Sequence, residues 1–314
     1  MAGGHKAKRR TVLLTGIAGT LGQLTARRLH RHHNVVGVDR RPMPSRAKDI
    51  VHMRLDIRRK ALENVFRRYR PDAVIHLGVM HDPRQSAEEH HTFNVIGTTR
   101  LLEHCHKYGV EKVVVLSSAN VYGPRADTSG FLNEDAPLLA AQSFAEMRDL
   151  IVVDMLAQGF FWKHPGIETV ILRPVHILGR VRNAPSNYLR LNPIPTLMGF
   201  DPMVQLISDE DVAKALELAL APRVRGVFNL TGPGQLPLSM AIDEVGGRRL
   251  PLPEPLARRA LNRMWSWRLT TFPPPELDHI KYSCLVDGER AARELGFTPD
   301  YTLRDTLRAV INLA

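Results

Sequence analysis

Through the first half of the chain, short β-branched runs alternate with longer stretches of helical period. The runs at 11–15, 35–39, 51–55, 73–77, 112–117 and 168–173 are largely apolar, which predicts strands buried on both faces of a parallel sheet. The intervening stretches, at about 21–30, 58–69, 86–107 and 143–162, predict the crossover helices of βαβ units. Beyond Pro174 the texture changes, with Pro185, Pro193, Pro195, Pro202 and Pro222 interrupting the pattern and predicting loops and short elements that shape a substrate pocket. A helix over 209–221, a strand over 226–230, a proline-punctuated stretch over 251–275 and helices over 288–295 and 303–311 follow. The expected fold class is α/β, a Rossmann-type doubly wound parallel sheet with a smaller C-terminal substrate-binding lobe. Residues 1–10 read as a basic tail and 11–174 as the dinucleotide-binding core. Residues 175–314 read mainly as the substrate lobe, with some segments returning to the core.

Composition narrows the class. With 314 residues, 44% of them hydrophobic and 24% charged, the chain has ordinary globular content. Lys and Arg exceed Asp and Glu by 43 to 32, an excess that fits a phosphate-bearing ligand, an anionic membrane surface or simply an arginine-rich solvated surface. No aromatic-interleaved basic run or zinc-knuckle spacing points to nucleic acid. Cys105 and Cys284 lie far apart, so a disulfide framework is not expected and a cytoplasmic location fits. Residues 6–14 imitate a secretory signal but also hold the first strand, and no run approaches the roughly 20 apolar residues of a transmembrane helix. Fourteen histidines invite a metal site. However, His104-Cys105-His106, His32-His33 and His90-His91 are adjacent residues that point apart on a helix, and no metal is expected.

One cluster carries specific chemistry. Gly16, Gly19 and Gly22, with Thr20 and Leu21 between the last two, follow the first strand and open the first helix. The glycines permit the tight turn, close approach of backbone to a pyrophosphate and close packing of helix on sheet, and the phosphates meet the helix N-terminus. Asp39 ends the second strand 17 residues after Gly22, near the spacing of about 20 expected of the acid that binds an adenosine ribose. Such a carboxylate repels a 2′-phosphate and indicates NAD, whereas the adjacent Arg40 and Arg41 would favour NADP.

The glycine spacing, with Leu55-Asp56-Ile57, His76-Leu77-Gly78, Phe93-Asn94-Val95, Leu116-Ser117-Ser118-Ala119-Asn120-Val121-Tyr122-Gly123, Leu172-Arg173-Pro174 and Glu294-Leu295-Gly296-Phe297, resembles the extended short-chain dehydrogenase/reductase superfamily. Within it the chain resembles the NAD-dependent epimerase/dehydratase family, whose members act mostly on nucleotide sugars. The resemblance implies that Asp56 and Ile57 flank the adenine and that Leu77, Gly78 and Val79 line the cofactor. It implies that Asn94 braces the sheet, that Pro174 borders the cofactor, and that Ser118 is the catalytic hydroxyl on the reacting oxygen. At a strand end Ser118 is equally an ordinary cap.

The resemblance also implies a tyrosine and a lysine one helical turn apart on the helix over 143–162, yet that stretch contains no tyrosine. Anchored on Asp154, the two positions fall on Glu146 and Leu150; shifted by two, they fall on Phe144 and Arg148. Glu146 as general base and Arg148 as electrostatic stabiliser are the candidates, and an exposed salt-bridge face is the plainer account of both. Tyr108 and Lys112 have the right spacing, but Gly109 ends a helix between them. On the substrate side, Asn120 is a candidate contact. His176 stands where sugar-nucleotide enzymes carry an asparagine, and Val204 where many carry a diphosphate-binding arginine.

The stretch 256–269 mixes Leu, Met264, Trp265 and Trp267 with Arg258, Arg259, Arg263 and Arg268. It reads either as a basic amphipathic segment at a membrane surface or pocket mouth, or as a helix packed on the second lobe with snorkelling arginines. The helices over 86–107 and 143–162 match those that form a homodimer interface in the resembling family. Three functions remain open: an oxidoreductase acting on a hydroxyl or keto group with an atypical active site, a catalytically silent cofactor sensor or scaffold, and a steroid- or lipid-type hydroxyl dehydrogenase.

Overall fold

The computed structural model describes residues 9–43, 45–80, 85–128, 130–142, 147–270 and 272–311. Strands β1 (Thr11–Thr15), β2 (Asn34–Asp39), β3 (Val51–Arg54), β4 (Ala73–His76), β5 (Lys112–Leu116) and β6 (Glu168–Pro174) lie where the apolar runs predict them. They are followed by β7 (His176–Leu178), β8 (Ile194–Leu197), β9 (Met203–Ser208), β10 (Gly226–Leu230), β11 (Gln235–Pro237) and β12 (Arg249–Leu252). The helices are α1 (Thr20–Leu29), α2 (Ala61–Tyr69), α3 (Ala87–His91), α4 (Gly97–Lys107), α5 (Arg148–Lys163), α6 (Ala184–Leu189), α7 (Asp209–Leu218), α8 (Leu238–Glu244), α9 (Glu254–Ser266) and α10 (Leu303–Ile311).

Seven strands form one parallel sheet in the order β10-β6-β5-β4-β1-β2-β3. Along β1, Val12 and Leu14 join one core with Ala26, Leu29, Val212 and Leu216, while Leu13 joins the opposite core with Leu62, Phe66, Leu101, Val153 and Phe160. Successive positions are therefore apolar because helices cover both faces. The strand order reverses between β1 and β4, and a doubly wound sheet opens its ligand crevice beyond the carboxyl ends of the strands at that point. Residues 209–230 return from the second lobe: α7 shares the first core with α1, and β10 pairs with β6 from Gly226 opposite Val170 to Leu230 opposite Pro174.

The second lobe holds the small sheet β11-β9-β7 and the pair β12-β8 around Leu178, Tyr188, Leu197, Leu206, Ile242, Leu277 and Val310. The prolines do not break every element here. Pro195 and Pro251 lie within β8 and β12, a two-stranded pair whose free edges need no N–H at those positions. Three helix boundaries also differ from expectation. The stretch 86–107 is divided into α3 and α4 by a wide helical turn, Thr92–Ile96. Residues 289–295 are helical, but the last five, Ala291–Leu295, form a wide turn, closed by Gly296 at φ +66°. The expected helix over 143–162 begins at Arg148 among the described residues, and Phe144 and Glu146 lie outside them. Among the described residues no helix is long and apolar enough to cross a membrane.

Candidate functional site

The glycine loop is built to the tolerance of backbone. Gly16 has φ +76°, and a Cβ there would stand 2.9 Å from the backbone of Leu77 and Gly78; one on Gly22 would stand 2.2 Å from the Gly16 carbonyl oxygen. The turn is tied by Gly16 N–H to Val38 O (2.9 Å) and Gly19 N–H to Gly16 O (3.0 Å). Thr20 and Leu21 begin α1, so its unpaired N–H groups open at the crevice.

Asp39 is 8% exposed and reaches back to this loop, its Oδ2 accepting from Ala18 N–H (3.1 Å). Its Oδ1 accepts from Arg41 N–H (2.9 Å) and Nε (3.2 Å), and Oδ2 accepts from Arg41 Nη2 (3.3 Å). The two arginines thus part company. Arg41 lies on the carboxylate at the loop, with Nη2 3.3 Å from the place a Gly19 Cβ would take. Arg40 turns to Glu89 (3.3 Å) and the Phe93 ring (4.4 Å to its centroid). Nothing local in the sequence separates the two arginines; only their tertiary neighbours do.

Asp56 forms a bidentate pair with Arg58 (2.8 Å), which also reaches Glu89 (3.0 Å) and Thr92 Oγ1 (3.1 Å). Burial works to raise the Asp56 carboxyl, but the Arg58 hydrogen bonds prevail and hold it below its usual value. A carboxylate has about four acceptor sites, and here Arg58 takes them all through its backbone N–H, Nε and Nη2, so an adenine amino group has to displace one of these bonds. Ile57 is 3% exposed in the core beside Gly97, so its side chain offers the crevice no surface. Leu77, Gly78 and Val79 leave β4 half-buried at the crevice. Asn94, 2% exposed, clamps the next residue: Met80 N–H donates to its Oδ1 (2.7 Å) and its Nδ2 donates to Met80 O (3.0 Å). The wide turn between α3 and α4 carries Asn94, consistent with the use of such turns at functional sites. Pro174 is buried at the end of β6, beside Leu230.

Ser118 follows β5 in extended conformation and caps the 3-10 turn Ala119–Val121, its Oγ accepting from Asn120 N–H (3.1 Å). The cap uses a lone pair and leaves the hydroxyl proton to donate elsewhere. Ser118 and Asn120 are both half-buried. On α5, Leu150 is 6% exposed within a small apolar core, while Arg148 is exposed at the first position of the helix. The nearby Tyr122 is unsuited to a proton relay. Its hydroxyl donates to Asn229 Oδ1 (2.8 Å) and accepts from Arg173 Nη1 (2.8 Å), the residue is 2% exposed, and burial raises the phenol. Arg173 in turn is held bidentately by Asp154, through Nη2 to Oδ1 (2.8 Å) and Nε to Oδ2 (2.9 Å), both residues being essentially inaccessible. The sequence signals for this buried network are an Asp in an apolar helix and an Arg near the end of an apolar strand, but no spacing links the two. Tyr108 and Lys112 face apart: Tyr108 bonds Glu63 (2.8 Å), while Lys112 bonds Glu168 (2.8 Å) and Val224 O (3.1 Å).

On the substrate side, His176 begins β7 with Nδ1 buried and without a hydrogen-bond partner, and the His279 ring stands edge-on at 5.8 Å. Burial lowers His176 to about 4; burial, then His176 itself, lowers His279 to about 3. Both imidazoles are therefore neutral near pH 7. His279 comes from the 3-10 segment Pro274–Ile280, too distant in sequence to be linked to His176 by spacing. Val204 is 8% exposed in the second-lobe core and its N–H and C=O lie on the ladder with β11, so an apolar side chain fills that position.

Residues 12–230 match the family model described as NAD dependent epimerase/dehydratase family. The chain is similar to an uncharacterized protein of Mycobacterium tuberculosis, with 28% identity over 313 residues that span 95% of this chain and 82% of that one. It is also similar to a UDP-glucose 4-epimerase of Bacillus subtilis, at 26% over 330 residues and 91% of each chain. Among solved structures, the Thermus thermophilus UDP-glucose 4-epimerase in complex with NAD aligns over 96% of this chain and 98% of that chain, with a TM-score of 0.75 and 20% identity. At that identity the likeness speaks for the fold.

Proposed function

Because the chain belongs to the NAD-dependent epimerase/dehydratase family, we propose that it binds NAD in the crevice between β1 and β4 and serves an oxidoreductase step on a substrate bearing a hydroxyl or keto group. The observation that carries the reading is the joined pair of glycine loop and Asp39. The loop leaves no room for Cβ at Gly16 or Gly22, and the carboxylate is drawn against the loop at Ala18. Bound NAD would supply a hydride acceptor or donor. Of the chain's own residues, Ser118 holds the reacting oxygen through its free hydroxyl proton, Asn94 fixes the β4 exit, and Asp39 accepts the ribose hydroxyls. Arg148 at the start of α5 is available to stabilise developing negative charge, and Glu146 is the candidate base. A nucleotide sugar is the substrate class favoured by the B. subtilis relative, although Val204 offers no anchor for its diphosphate.

A second reading, cofactor binding without turnover, is supported by the buried Leu150 and by the absence of any tyrosine from α5. Calorimetric titration with NAD and NADP, followed by absorbance of the bound cofactor on adding UDP-sugars or hydroxysteroids, separates the two. The oxidoreductase reading expects NAD to bind and change redox state, and Ser118→Ala to lower turnover about a hundredfold while NAD affinity is retained. Binding with no redox change under any substrate favours the second reading, and failure to bind either dinucleotide overturns both.

A further inference from the structure

One side of α9 packs on the second-lobe core through Ala257 and the partly buried Leu261, with Trp265 half-buried beyond them, but Ala257 alone of its 13 residues is fully buried. The adjoining side carries Leu256 (56% exposed), Ala260 and Met264 (43%), with Trp267 (60%) just past the helix end, spaced i, i+4, i+8 and i+11, which places them on one face. Arg259 and Arg263 flank this stripe, and the Arg263 guanidinium lies 4.8 Å from the Trp267 ring centroid. Residues 248–268 contain six arginines and one acidic residue, Glu254. Glu254 is spent at the start of the helix on Arg258 (3.1 Å) and Lys281 (2.8 Å). The stripe is thus apolar at its centre and cationic at its border.

We propose that this face of α9 docks the protein peripherally on an anionic membrane surface. Leu, Met and Trp gain by leaving water for the interfacial region, while the arginine stems lie along the apolar surface and their guanidinium groups reach lipid phosphates. Basic residues at such a surface add attraction that is confined to about a Debye length and weakened by salt. A neutral lipid surface would use only the apolar stripe. A second copy of the chain would set arginine against arginine, because a two-fold contact brings like patches together. The inference is independent of the cofactor reading, since it uses no residue of the crevice.

The test is flotation of the full-length protein with phosphatidylcholine vesicles and with vesicles that also contain phosphatidylglycerol, at low and at physiological ionic strength. Binding to the anionic vesicles alone is expected, falling as salt rises. In a Trp162→Phe background, lipid-borne bromine is expected to quench tryptophan fluorescence, and to do so less when Trp267→Phe is added. The double variant Arg259→Glu/Arg263→Glu, altered only at exposed positions, is expected to partition at least about tenfold more weakly, with an unchanged circular dichroism spectrum showing that it folds. No binding to anionic vesicles overturns the proposal, as does equal binding by the double variant. Self-association that Met264→Glu abolishes, without vesicle binding, would instead assign the stripe to an interface between copies.

Discussion

Asp39 meets two demands at once. In the proposed reading its carboxylate faces a ribose, and it also pairs with Arg41, accepting one hydrogen bond from the backbone N–H and two from the guanidinium. The Arg41 side chain is 65% exposed, so the pair contributes little to stability and chiefly sets the local charge. An unpaired carboxylate repels a 2′-phosphate; one covered by a guanidinium tolerates it. Arg41→Ala is therefore expected to raise the preference for NAD over NADP about tenfold, mostly by weakening NADP. Paired calorimetric titrations check this, and an unchanged ratio would show that Arg41 leaves the carboxylate when cofactor arrives. The same substitution at Arg40 is expected to leave the ratio near its starting value, because Arg40 is held on Phe93 and Glu89. The acid at the end of β2 was legible from its distance to the glycines. Which arginine covers it was not, since that depends on where Glu89 and Phe93 arrive from another helix.

Among the elements, α5 is the helix on which the family resemblance places a reactive tyrosine, and it contains none. Its apolar character follows from its place against β6 and α4, and its polar anchor is Asp154 beneath Arg173. The pair is fully buried and its remaining bonds are satisfied by Tyr122, Glu134 O and Gln158. Asp154→Ala should therefore cost about 3–5 kcal/mol, the consequence of leaving a buried guanidinium unpaired. Urea denaturation measures it. The companion Asp154→Leu/Arg173→Met is expected to recover much of the loss, which distinguishes an unpaired charge from a packing defect. The apolar period predicted this helix, but the partnership across 19 residues depends on β6 lying beneath it. The wide turn that aims Asn94 at Met80 is likewise not legible, because the stretch 86–107 has an unbroken helical pattern and the break serves a contact with the segment that follows β4.

Over the whole molecule, buried neutral histidines make stability sensitive to acid. His76 in the Rossmann sheet is inaccessible between Thr15 Oγ1 (2.7 Å) and Thr98 Oγ1 (2.9 Å), and burial lowers it from 6.5 to about 4. His176 and His279 in the second lobe are lowered too. Between 6.5 and about 4 the unfolded chain binds protons that the native chain refuses, so stability is complete above 6.5 and is lost as pH falls through that window. His76 alone should account for about 2 kcal/mol between neutrality and pH 5. Denaturation midpoints across the range, with His76→Asn as the flatter control, test this; identical slopes for the two proteins would show that His76 already titrates in the native state. By itself the sequence determined the parallel sheet, the glycine loop and Asp39, the strand-end serine and the lack of a tyrosine on α5, because each of these rests on local period or on residue type at a fixed offset. Only the tertiary structure decided that Arg41 rather than Arg40 covers Asp39, that Tyr122 is locked by Arg173 and Asn229, that His279 faces His176, and that α9 leaves its apolar stripe in water. Those outcomes depend on which distant segments the sheet order and the second lobe bring together, and no spacing along the chain encodes that.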